Sequence, residues 1–113
     1  MDRIEQYREL VIKAITESYH YRFPPKDEAI ETLFLRDEQQ DQYMLYQMGW
    51  IGQHPVNNVI ILMRIKQGKI WIDEDLTEYG VVTDLLRWGV LPSDIVQAWL
   101  PSGTQKEPEP VLA

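Results

Sequence analysis

At 113 residues, 44% of them hydrophobic and 26% charged, the chain has the size and composition of one soluble globular domain with a single core. Its 18 acidic residues outnumber 11 basic ones, for a formal charge of -7; this disfavours non-specific binding to phosphate backbones, which needs clustered Lys and Arg, and favours solubility or a basic partner. The absence of cysteine excludes disulfides, thiolate metal sites and cysteine nucleophiles, and fits a reducing compartment.

Asp2 to about His20 reads as a helix, because Ile4, Tyr7, Leu10, Val11, Ala14, Ile15 and Tyr19 recur at spacings of three and four along one stripe. Asp2 and Glu5 have capping-box spacing, and His20 and Arg22 bring positive charge to the C-terminal end. Phe23-Pro24-Pro25 then stops the helix. Four strand-like segments follow: Ala29 to Arg36, Gln42 to Trp50, Asn58 to Lys66 and Lys69 to Asp73. They are joined by the turn DEQQD, the looser loop IGQHPVN and the two-residue turn Gln67-Gly68. Short polar connections make consecutive strands antiparallel neighbours, so the expectation is a four-stranded meander. From about Thr77 to Trp88 the pattern turns helical again, with Gly89 as the residue that ends it. Pro92-Ser93-Asp94 opens a second short helix with Ile95, Val96, Trp99 and Leu100 as its apolar side. The segment 101–113 is expected to be extended or partly disordered, strapped down by Val111 and Leu112 if at all. The fold class is α+β over a single domain spanning residues 1–113.

Both faces of the expected sheet are apolar. Val59, Ile61, Met63 and Ile65 take one side of the third strand, and Ile60 and Leu62 the other; in the second strand Tyr43 and Leu45 oppose Met44, Tyr46, Met48 and Trp50. A meander with a bare solvent face alternates more cleanly, so either helices cover both faces or a second chain covers one. Tyr46, Met48, Trp50, Ile60 and Leu62 are the candidate interface. Most of the four tryptophans and six tyrosines belong in the core on this reading, and the remainder suit an interface.

The turn at Gln67-Gly68 sets Lys66 opposite Lys69 and Arg64 opposite Trp71, a cation–π pairing worth ~0.5–1 kcal/mol if exposed. Arg64, Lys66, Lys69 and Trp71 are therefore the candidate contact for a partner or for nucleic acid, although three basic residues leave only a weak phosphate footprint. Asp73, Glu74, Asp75 and Glu78 have the oxygen chemistry of a hard-cation site, but capping of the following helix is the simpler reading, and alternation sends Asp73 and Glu74 to opposite sides. His20 and His54 stand in no ligand or triad spacing, and no phosphate loop or nucleophile elbow occurs. No catalytic residue, cofactor or metal is expected. The longest aliphatic run, Val59 to Met63, falls far short of a membrane span, and the acid-bearing start MDRIEQYREL matches neither a signal nor a transit peptide, so the expected location is cytoplasmic.

The chain resembles the XisI family, the cyanobacterial fdxN element excision controlling factors. The resemblance is carried by Tyr7-Arg8, Asp41-Gln42-Tyr43, Gly49-Trp50, Lys66-Gln67-Gly68-Lys69-Ile70-Trp71-Ile72, Thr77-Glu78, Gly89-Val90 and Pro92-Ser93-Asp94-Ile95-Val96. At the end of the chain, Pro108 and Pro110 depart from the family's pattern. The resemblance implies a small α+β regulator with no recognised catalytic residues. Its implied partner is a nuclease-like XisH protein, and its implied role the control of DNA element excision by a separate recombinase. A homodimer or higher homo-oligomer is compatible with it, and direct DNA binding through Arg64, Lys66 and Lys69 is the alternative.

Overall fold

The computed structural model describes residues 2–22, 29–77, 80–101 and 107–109. Helix α1, Arg3–Glu17, starts where the Asp2 carboxylate accepts the Glu5 amide at 2.8 Å, as the capping spacing predicts. Its buried stripe is Tyr7, Val11, Ala14 and Ile15, and a π-helical turn, Ser18–Arg22, continues it. The predicted stop at Phe23-Pro24-Pro25 lies outside the described residues, as do Glu78, Tyr79, Val111 and Leu112.

Strands β1 (Ile30–Asp37), β2 (Gln42–Ile51), β3 (His54–Lys66) and β4 (Lys69–Asp75) form the expected antiparallel meander. Gln67 and Gly68 both have positive φ, +56° and +75°, the signature of a type I′ turn whose twist matches the flanking strands. The pairs Lys66↔Lys69, Arg64↔Trp71 and Ile65↔Ile70 follow as predicted. Tyr43, Leu45, Ile61, Met63, Ile70 and Ile72 point inward and are fully buried against α1.

The structure corrects the sequence reading in four places. There is a fifth strand, β5 (Ile95–Gln97), parallel to β4, so the sheet order is β1-β2-β3-β4-β5. The second C-terminal helix is absent: Pro92–Asp94 makes a single 3₁₀ turn, and Ile95 then pairs with Ile70 in the core. Short apolar runs do not distinguish strand from helix by period, and the β-branched Ile95-Val96 pair favours the strand. Helix α2 is shorter than expected, Val81–Arg87: the Asp75 carboxylate accepts the Val81 amide at its start, and also the Thr77 amide and hydroxyl. It ends as predicted at Gly89 (φ +99°), with Val90 N–H on the Leu85 carbonyl and Gly89 N–H on that of Leu86. The chain from β4 through α2 to β5 is thus a crossover, which parallel neighbours require.

The third correction is at the β2–β3 connection. Instead of a loose loop, Gly52-Gln53 closes a tight hairpin that pairs Ile51 with His54. Pro55 is tolerated inside β3 because the opposite residue, Trp50, sends its amide the other way, to the Ala29 carbonyl; the position without an N–H therefore looks away from β2. The fourth is a bulge at Ile60, where the register steps from Leu45↔Ile61 to Tyr46↔Val59. It turns Val59 to the outer side with Tyr46 and lets Ile60 into the core at 4% exposure.

Gly49 has φ +149° where β1 begins, and a Cβ there would collide with the Ala29 carbonyl. Gly49→Ala is therefore expected to cost about 2–4 kcal/mol in urea unfolding, a combined backbone and steric effect; a loss below about 0.5 kcal/mol would show that β1 does not cross so closely.

Candidate functional site

Because α1 and α2 contribute to the same buried cluster as the inward residues, both helices lie on one face of the sheet. The other face carries Leu33 and Leu35 from β1, Met44, Tyr46, Met48 and Trp50 from β2, and Val59 and Leu62 from β3. Leu35 is 44%, Met48 40% and Trp50 57% exposed. Where Leu35, Met44 and Leu62 meet, at the β1–β2 end, the face dips into a shallow depression closed by Arg36, Asp37 and Gln42. Tyr46 donates its hydroxyl to the Asn57 side chain at 3.1 Å, so its ring is held across the face.

Of the residues picked from the sequence as an interface, Tyr46, Met48, Trp50 and Leu62 share this outer face. Ile60 does not: the bulge buries it. Leu33, Leu35 and Met44 belong to the face and were missed as interface candidates; laying β1 against β2 in register would have found the first two, since Leu33 falls opposite Tyr46 and Leu35 opposite Met44. The tryptophans do not fill the core as expected. Trp50 and Trp99 are exposed, Trp71 is half-buried, and Trp88 lies under the Lys13 ammonium at 4.2 Å.

At the β3–β4 tip, the Arg64 guanidinium grips Asp73 with two bonds, 2.7 and 2.9 Å, and lies 5.7 Å from the Trp71 ring. The hydrogen bonds to Asp73 push the Arg64 pKa further up. The Lys66 ammonium sits 4.9 Å over the same ring, and the Trp71 indole N–H donates to the Lys66 carbonyl at 3.0 Å. Arg64 is thus neutralised by an acid of its own sheet, and the tip offers Lys66 and Lys69 rather than three cations. The acidic run does not converge: a bulge at Asp73 turns it to Arg64, Asp75 faces α2, and Glu74 stands opposite Leu62. Among the described residues no group of three His, Cys, Asp or Glu side chains is arranged to hold a metal ion.

Elsewhere, charge is spent on fastening α1. Arg8 binds Asp41 through Nε at 2.6 Å and Nη2 at 3.0 Å, and the Tyr43 hydroxyl donates to the same carboxylate at 3.0 Å. The Tyr7 hydroxyl donates to Asp94 at 2.5 Å, with Arg3 at 3.6 Å from that acid. The Arg8 hydrogen bonds hold the Asp41 carboxyl below its ordinary 3.8. Burial, then the bond to an aspartate, pushes Tyr7 and Tyr43 up to about 12. These groups are mutually paired and bring no nucleophile to a base, so the arrangement is architectural. Among the described residues no helix is long and apolar enough to cross a membrane.

The family model described as XisI protein matches residues 1–109. Two solved structures are similar over nearly the whole chain. One is the fdxN element excision controlling factor XisI from Anabaena variabilis, 30% identical, with a TM-score of 0.81, covering 90% of this chain and 97% of that one. The other is a XisI-like protein from the same organism, 27% identical, with a TM-score of 0.83, covering 92% and 93%. No curated protein matches the sequence.

The pKa shifts set the pH limits of stability. Asp41, depressed in the fold, contributes above the ordinary carboxylate pKa and loses that contribution as pH falls through its folded value. Tyr7 and Tyr43, raised in the fold, contribute fully below 10 and lose it as pH rises toward about 12. In urea titrations across pH, Asp41→Asn should flatten the acid limb and Tyr43→Phe the alkaline limb; curves parallel to wild type would contradict both assignments.

Proposed function

Because the chain belongs to the XisI family, we propose that it is a regulatory protein without catalysis of its own, acting on a XisH-like protein partner in the control of DNA element excision. The observation that carries this reading is the apolar outer face of the sheet, on which Leu33, Leu35, Met44, Tyr46 and Leu62 form a contiguous surface opposite the two helices. Exposed contiguous apolar surface of this kind marks a docking site rather than a reaction centre. Glu31 and Asp37 on β1 and Glu74 on β4 stand at its margins, with Lys66 and Lys69 at the hairpin end, so the partner that fits is apolar at its centre and brings basic groups to the β1 side of its rim. The cytoplasm is where such a partner and its DNA would be met.

Direct DNA binding through the hairpin tip is the weaker reading, because Arg64 is already paired with Asp73 and the chain carries a charge of -7.

Purified chain mixed with a XisH-like chain from the same genome should form a complex at micromolar concentration, and Leu35→Glu should weaken it at least tenfold, about 1.4 kcal/mol. Lys66→Glu with Lys69→Glu should leave it within a factor of three, about 0.7 kcal/mol. No complex would remove the proposal, and DNA binding that falls steeply with salt and is lost in the double lysine variant would install the alternative.

A further inference from the structure

The 22 residues from Gln42 to Met63 contain no Asp, Glu, Lys or Arg, where the chain's 26% charged content would place about six. Part of this stretch is core and is apolar for that reason. The rest projects. Pairing with β1 ends at Ile30↔Gly49, and pairing with β4 ends at Ile61↔Asp75. Beyond those points β2 and β3 continue as an arm, turned by Gly52 (φ +62°) and Gln53, on which Trp50 is 57% and Ile51 65% exposed. A two-stranded ribbon is marginal in water by itself, and edges are ordinarily guarded by charge. This one presents Trp50 on its outer side and Ile51 on the other with no charged residue of its own, and Met48, at its base on the outer side, stands opposite Glu31.

We propose that the arm is the contact between two copies of this chain, packed outer side to outer side about a two-fold axis with Trp50 at the centre. The argument is electrostatic. A two-fold contact places each surface patch against itself, so for a chain of charge -7 most patches would set carboxylates against carboxylates. Among the described residues of β2 and β3 the arm carries no charge of its own, so two acidic copies can approach there with Glu31, opposite Met48, as the carboxylate at the arm's base rather than at its centre. An unlike, basic partner would instead be drawn to the acids at the margins of the sheet face, since an uncharged arm offers it no Coulomb attraction. Charges buried against the arm would also lose water with nothing to pair with, which favours an equally uncharged surface opposite it. Edge-to-edge strand pairing is disfavoured, because Pro55 removes an amide from the open edge of β3. The packing is therefore side chain on side chain. The inference stands apart from the regulator reading. Leu35, opposite Met44, lies six positions along β2 from Trp50, about 20 Å, so the two surfaces can be altered independently.

Sedimentation or light scattering at micromolar concentration should give twice the chain mass of 13.4 kDa. Trp50→Glu should give the single-chain mass; each anchor enters a two-fold contact twice, so its loss should weaken association about a thousandfold. Met48→Lys is the second variant should the first fail to fold, with circular dichroism and melting as the check, and Leu35→Glu should remain dimeric. Added salt should tighten the dimer or leave it unchanged, since it screens repulsion between acidic copies. A wild-type monomer, a dimer unaffected in both folded arm variants, or dissociation on adding salt would each overturn the proposal. A dimer that does not bind the XisH-like chain would count against the regulator reading alone.

Discussion

Among the described residues, the structure depends on a sheet that helices cover on one side only. Five strands bury their inward residues under α1 and α2, and this single layer of helices satisfies the core from Tyr7 and Val11 through Ile72 to Leu85. Nothing in the described chain performs the same service for Leu35, Met44 and Trp50. A small acidic domain can tolerate scattered apolar side chains at its surface, but a row of them across three adjacent strands lowers its free energy only when another surface covers it. The proposed function follows from that asymmetry: one face makes the fold, and the other is the one proposed for association.

The polar contacts of α1 serve the covered side. Arg8 reaches from α1 to the β1–β2 turn at Asp41, and Tyr7 reaches from the same helix to Asp94 at the entrance to β5. Adjacent residues of one helix thereby fasten both ends of the sheet order, the first hairpin and the last strand. The Tyr43 hydroxyl joins the Asp41 carboxylate, and the Asp41 carbonyl accepts the Ile65 amide, so the turn is tied to the core of the sheet as well as to the helix. Several sequence blocks that carry the family resemblance are thus contacts in the fold: Tyr7-Arg8 meets Asp94 and Asp41-Tyr43, and Gly49-Trp50 is where β1 crosses close to β2.

Much of this was legible in the sequence where local chemistry decides the outcome. The stripe of α1, its Asp2 cap, the turn at Gln67-Gly68, the end of α2 at Gly89 and the register through Lys66↔Lys69 all follow from spacing and from residues with narrow conformational preferences. The errors lie where tertiary contact decides. Ile95-Val96 becomes a strand because β4 offers a parallel edge and Ile70 a buried neighbour, neither of which a local pattern contains. The bulge at Ile60 inverts the side assigned to Val59 and Ile60, since one extra residue shifts a period of two. At the candidate site, Met48 and Trp50 were visible from alternation, whereas the pairing of Arg64 with Asp73 needed the second bulge and so could not be read in advance.

The most direct test of the one-sided sheet is side-chain footprinting by hydroxyl radicals, on the free chain under dilute conditions and on its assembled form. The account predicts strong labelling of Leu35, Met48 and Trp50 in the free chain and its suppression on assembly, with Met63 and Tyr43 protected throughout. Unchanged labelling of the outer-face residues on assembly, or their protection in the isolated chain, would contradict it.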